Sequence, residues 1–182
     1  MSNNKSMKMK QLTKIKNFIA NIINEDQQIK RYCSYLTNTP LMDKGMTLDG
    51  KVIAQPDIRE SLINKDKGNI VPYRFTEDII KDKRVIIFVY KLKGDLRKTI
   101  GENYFAVDIF VPYVYDILEE LGQERNVEIA SRICDSIDGK SIDKTLGEIE
   151  ILEYEDNRLN RTSDYNICSL LLKINKSNIR SR

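Results

Sequence analysis

The segment Arg84-Val-Ile-Ile-Phe-Val-Tyr-Lys-Leu92 constrains this chain most. Its β-branched and aromatic residues follow one another without polar alternation, so an extended strand built from it is apolar on both faces and needs cover on both. The run is too short to cross a bilayer, which takes about 20 apolar residues, and Lys91 and Lys93 interrupt it. A second extended run follows at Asn103 to Pro112, where Phe105, Val107, Ile109 and Val111 alternate with Ala106 and Asp108. The residues between, Lys93 to Gly101, read as a loop, so the two runs are natural antiparallel neighbours. Two more strands are predicted near the end of the chain. Gly147 to Tyr154 sets Ile149 and Ile151 against Glu148 and Glu150, and Asp164 to Ile174 puts Cys168, Leu170, Leu172 and Ile174 on one side. The polar stretch Glu155 to Ser163 reads as the loop joining them.

Helical spacing marks three other segments. Leu12, Ile15, Phe18, Ile19, Ile22 and Ile23 recur on one face from Lys10 to Ile23, with Lys14, Lys16 and Asn17 on the other. Asn24 and Asp26 can end that helix and cap a second, where Ile29, Tyr32, Cys33 and Leu36 share a face before Pro40. Val127, Ala130, Ile133, Cys134 and Ile137 define a third helix over Glu124 to Ile137, closed by Asp138-Gly139. Between residues 37 and 74, Pro40, Gly45, Gly50, Pro56, Gly68 and Pro72 break any period, so the segment reads as long loop, with one short helix at Asp57 to Ile63. Loops of that extent are commonly functional. The expected fold is α+β: a mostly antiparallel sheet of about four strands, packed with N-terminal and central helices. One domain over residues 1–182 is expected, with a flexible basic N-terminus and a C-terminal tail.

Chemistry is narrowed chiefly by what is missing. The sequence holds no histidine, which closes Ser-His, Cys-His and His-metal mechanisms. Neither glycine-rich nucleotide loop occurs. Cys33, Cys134 and Cys168 are odd in number, widely spaced and set among apolar neighbours, which suits core packing in a reducing compartment rather than disulfides or zinc. The N-terminus lacks the apolar stretch of a signal peptide, so the reading is cytoplasmic. Asp108, Glu148 and Glu150 are the carboxylates that would hold Mg²⁺ if their strands brought them together, as in a metal-dependent nuclease; against this, alternation makes Glu148 and Glu150 an ordinary polar-out row. Asp108 itself is expected on a wet face or paired with Arg84 or Lys91. Tyr73, Arg74 and Phe75 with Lys93, Arg97 and Lys98 would make a nucleic-acid platform, and without any recognised signature a solvated charged turn is the plainer reading. No catalytic, cofactor-binding or metal-binding residue is assigned.

Charge is uneven along the chain. The first sixteen residues carry five lysines and no acid, and the last ten carry Lys173, Lys176, Arg180 and Arg182, on a chain of net charge +3. Short basic termini of this kind are more often solvated tails; read as a function, they point to nucleic-acid binding as the alternative, with Lys5, Lys8, Lys10 and Lys14 as the residues to test.

The element order and the segments Val107-Asp-Ile-Phe-Val-Pro112, Val127 to Ile137, Leu146-Gly-Glu-Ile149 and Tyr165 to Ile174 resemble the tail terminator and related neck proteins of tailed bacteriophages. That resemblance implies a non-enzymatic structural subunit of the virion, assembled in the host cytoplasm. It implies a ring at the head-to-tail junction, most often a hexamer, contacting adjacent neck and tail tube proteins. DNA would be passing cargo only, with no cofactor and no membrane. Long loops and termini would reach neighbours, and the two-faced strand would be covered by helices on one side and a neighbouring layer on the other.

Overall fold

A computed structural model describes residues 3–48, 51–63, 68–73, 83–94, 103–143, 147–157 and 164–175. Two helices open the chain, α1 (Asn3–Glu25) and α2 (Gln27–Ser34), followed by strands β1 (Met42–Leu48), β2 (Lys51–Ala54) and β3 (Ile70–Val71). Next come β4 (Ile86–Gly94), β5 (Asn103–Pro112), the short pair β6 (Ile117–Leu118) and β7 (Gln123–Glu124), and helix α3 (Arg125–Ile137). Strands β8 (Ser141–Asp143), β9 (Gly147–Asn157) and β10 (Tyr165–Asn175) complete the described chain.

The sheet corrects the expectation of about four mostly antiparallel strands. It has six, in the order β3-β4-β5-β10-β9-β8, and it is mixed because β3 runs parallel to β4. It curls into a half-barrel. The two added strands are the edges, of two and three residues, too short to carry a period. Side-chain and backbone bonds hold β3 in place: the Asn69 side chain donates to the Val85 carbonyl at 2.7 Å, and the Ile87 amide donates to the Asn69 carbonyl at 2.6 Å.

The segment between residues 37 and 74 is likewise not all loop. It contains the β1–β2 hairpin, paired from Met42↔Ala54 to Leu48↔Lys51, as well as β3. The short helix expected at Asp57 to Ile63 is not formed. Its backbone groups are taken by side chains of α1 and α2 instead: Gln27 exchanges two hydrogen bonds with Ile58, Lys30 donates to the carbonyls of Ile58 and Glu60, and Asn24 accepts from the Leu62 amide. A helix would need those same groups for itself.

Alternation divides the sheet residues between two faces. Val85, Ile87 and Val89, Phe105, Val107 and Ile109, and Leu170, Leu172 and Ile174 join the apolar sides of all three helices in the main core. α1 packs on β3 and β4, α3 on β5, β10 and β9, and α2 against both other helices. On the opposite face Val71, Ile86, Phe88, Phe110, Tyr165 and Ile167 form a second buried cluster, with Phe88 edge-on to Phe110 at 5.3 Å. The two-faced strand is therefore buried on both sides within one chain at Ile86 and Phe88, and no neighbouring layer is needed there. β9 runs on through Glu155 and Asp156, which pair with Ser169 and Cys168; the polar joining loop was expected to start at Glu155. Ladder bonds carry the strand where side chains face water. Among the described residues, no helix is long and apolar enough to cross a membrane.

Candidate functional site

The second face of the sheet changes character along its strands. One end is the buried aromatic cluster, and the other is open and acidic. Reading the ladder across, Asp108 stands opposite Ser169, and Ser169 opposite Glu155. Leu171 stands between Ala106 and Glu153, and further along Lys173 faces Glu150 and Asn175 faces Glu148. All four glutamates are exposed. Tyr90, Leu92, Asp108, Glu153, Glu155 and Leu171 line an open groove of about 270 Å³. Leu92 and Leu152 occupy the positions where the pairing register slips, and both are exposed. An extra residue at such a slip bends its strand and turns its side chain off the regular row.

Asp108 is half-buried beside Phe88 and accepts a 2.6 Å hydrogen bond from the Tyr90 hydroxyl. That bond, rather than Arg84 or Lys91, is the contact the geometry gives its carboxylate. Glu148 and Glu150 share its face, but Glu150 lies two strands across and four residues along the ladder, roughly 13 Å along the strands alone. Oxygens that share a hard cation each sit within about 2.6 Å of it. The proposed trio is thus not brought together, and no group of three metal-ligating acids or cysteines forms among the described residues. Tyr73 packs against the second cluster. Arg74, Phe75, Arg97 and Lys98, the rest of the nucleic-acid platform, lie outside the described residues, as does the side chain of Lys93.

A buried polar node joins the layers at the end of the sheet near β6 and β7. Asp116 is 1% exposed and Arg125 and Asn126 are fully buried. The Asp116 carboxylate accepts from the Asn126 amide at 3.4 Å and from the Asn166 side chain, while the Asn126 side chain donates to Asp156 at 3.3 Å. Burial pushes the Asp116 pKa up, partly offset by those two hydrogen bonds. The Arg125 guanidinium donates to the carbonyls of Tyr32 at 2.9 Å, Tyr35 at 3.2 Å and Thr37, closing the C-terminal end of α2. Sequence reasoning singled out none of Asp116, Arg125 and Asn126. The available signal was the placement of an arginine in the first turn of a helix, where the dipole disfavours a cation.

The cysteines are free, with Cys33 and Cys168 buried and Cys134 half-buried. Burial drives the thiols of Cys33 and Cys168 up to about 12, far from the thiolate chemistry a catalytic cysteine needs. Beyond the node, the turn Tyr113–Tyr115 and the β6–β7 hairpin project apolar side chains into solvent: Tyr113 is 70% exposed, Val114 64%, Ile117 54% and Leu121 45%.

The family described as YomW matches residues 26–174. The chain belongs to the YomW family. This is a phage-derived family of the Bacillus phage SPBeta region, and the protein is phage-associated. No curated protein matches the chain. The YomW match begins at Asp26, the residue that caps α2, and ends at Ile174 in β10. It therefore takes in α2, α3, the six-stranded sheet, the buried node, the acidic groove and the apolar hairpin of this YomW chain, with α1 preceding it.

Proposed function

We propose that the chain is a structural subunit of a phage particle that works by assembly rather than catalysis, forming a ring at the head-to-tail junction in the role of a tail terminator. The observation that carries this reading is the apolar end formed by Tyr113, Val114, Ile117 and Leu121. Four large apolar side chains, each about half exposed or more, lie on one turn and one hairpin. Large apolar side chains left in water favour association with another protein surface, and a ring subunit meets such surfaces on its own copies and on the layers above and below. Neighbouring neck and tail tube proteins are the remaining partners of this reading, and DNA only passes through.

Native mass spectrometry with negative-stain imaging over a range of concentrations tests it. The expected result is a closed ring, a hexamer by preference, that weakens when Tyr113 and Val114 are replaced by serine. A strict monomer at every concentration, also in the presence of virion neck and tail components, overturns it. The exposed lysines Lys10 and Lys14 of α1 favour nucleic-acid binding as the second reading. Its signature is affinity for DNA or RNA that falls steeply with salt and drops when Lys5, Lys8, Lys10 and Lys14 are neutralised.

A further inference from the structure

The most basic and the most acidic elements of the described chain lie on opposite faces of the sheet. α1 holds Lys5, Lys8, Lys10, Lys14 and Lys16 against a single acid, Glu25. β9 holds Glu148, Glu150, Glu153, Glu155 and Asp156 and no base. α1 packs over β3 and β4, on the helix side, whereas the glutamates of β9 stand three strands beyond β4 and point out of the other face. Three strand spacings are about 14 Å, and the sheet itself lies between, so the helix and the glutamate row of one chain lie on opposite faces of the sheet.

Their spacings match. Lys10 and Lys14 are exposed and lie one helical turn apart, about 6 Å along the axis. Glu148 and Glu150 are exposed on one side of β9, about 6.6 Å apart at strand rise, as are Glu153 and Glu155. Lys173 and Asn175 stand beside Glu150 and Glu148 in the ladder, and the Asn175 side chain reaches Glu150 at 2.5 Å. Across β9 and β10 this face still carries four glutamates against one lysine. The groove beside it, lined by Ala106, Leu171, Asp108, Glu153 and Glu155 among others, is open to an entering side chain.

We propose that the partner of this acidic face is α1 of a second copy of the chain, with Lys10 and Lys14 set against the glutamate row. The contact joins two different surfaces, so each subunit uses its helix toward one neighbour and its groove toward the other. A contact of that kind leaves one of each unpaired until a ring closes. The inference rests on the ring reading and adds a charged pair of surfaces to the apolar end described above. Glutamates along the groove also repel a polyanion, which sets this face apart from a nucleic-acid site.

Charge reversal with native mass spectrometry and light scattering at low and raised salt decides it. K10E/K14E and E148K/E150K each change only exposed side chains, and circular dichroism checks that each folds. Each variant alone is expected to lose assembly, with the association constant down about tenfold or more, because like charges then face each other. An equimolar mixture of the two, or all four changes in one chain, is expected to restore it. Assembly that is indifferent to both variants and to salt overturns this interface while leaving the ring reading standing, whereas a wild-type monomer under all conditions overturns both. Should K10E/K14E abolish retention of a duplex DNA fragment while assembly is unchanged, α1 serves nucleic acid and the proposed partner is wrong.

Discussion

Arg125 is a cation in the first turn of a helix, and it is fully buried there. Both placements cost free energy, and they are offset by the three carbonyls of Tyr32, Tyr35 and Thr37 that its guanidinium engages and by the nearby acidic groups of Asp116 and Glu120. Those carbonyls belong to the last turn of α2 and the residues after it, where no intrahelical donor is available. Arg125→Ala is expected to destabilise the fold by about 3 kcal/mol, the order expected for losing charge-assisted hydrogen bonds and stranding buried acceptors. Arg125→Lys should recover less than half of that, because one ammonium cannot span the positions a planar fork reaches. Urea unfolding of both variants checks this, and a loss below about 1 kcal/mol for the alanine variant would show that the carbonyls find other partners. Such residues were hard to read from the sequence because their partners are backbone groups some ninety positions away. The exposed carboxylates were easier: alternation alone placed Glu148 and Glu150 on the polar face. It could not say that Asp108 shares that face at a distance, since this depends on the order of strands between them.

At the scale of elements, Asp26 holds two helices in relation to one another. Its carboxylate accepts from the amides of Gln28 at 2.8 Å and Ile29 at 3.0 Å, capping α2, and it is gripped by Arg132 of α3 through Nε and Nη2 at 3.1 and 2.7 Å. Asp26→Ala removes the cap and the ion pair together and is expected to cost about 2 kcal/mol. Asp26→Ser keeps an acceptor for the amides and should cost about half as much. Equal losses in the two variants, measured by thermal or urea unfolding, would mean that the cap contributes nothing. This cap was legible in the sequence, as were the helices on either side of it and the four long strands, because their apolar residues repeat over several turns or pleats. β1, β2, β3, β6, β7 and β8 were not legible. They are short or cross a glycine-bearing stretch, and β3 and β8 are held by neighbours that the chain reaches only after folding. The segment Asp57 to Ile63 misled for a related reason: Ile58 and Leu62 have helical spacing, yet Gln27, Lys30 and Asn24 claim its backbone first.

For the whole molecule, the Asp116 node is where the ends of the layers are tied. Asp116 follows β5 and its turn, Asn126 lies in the first turn of α3, Asn166 in β10 and Asp156 in β9, so one carboxylate sits between the helix and sheet layers. Burial raises its pKa above the ordinary 3.8, and the nearby carboxylates of Glu124 and Asp156 push in the same direction. A carboxyl group whose folded pKa is raised binds its proton more tightly when folded. Its contribution to stability is thus fully present below the unfolded value of 3.8 and is lost as pH rises through the folded value. Other carboxylates act in the opposite sense as pH falls, so the effect is read as a difference between two proteins. Relative to Asp116→Asn, the wild-type chain is expected to gain unfolding free energy as pH is lowered from about 7 to about 4. The variant also gives up an acceptor for the Asn166 side chain, which offsets the difference at every pH without giving it a slope. Urea titrations of both proteins at several pH values supply the measurement. A flat difference would place the carboxylate in an environment as favourable as water, and a difference that runs the other way would mean that the hydrogen bonds from Asn126 and Asn166 outweigh the desolvation of the node.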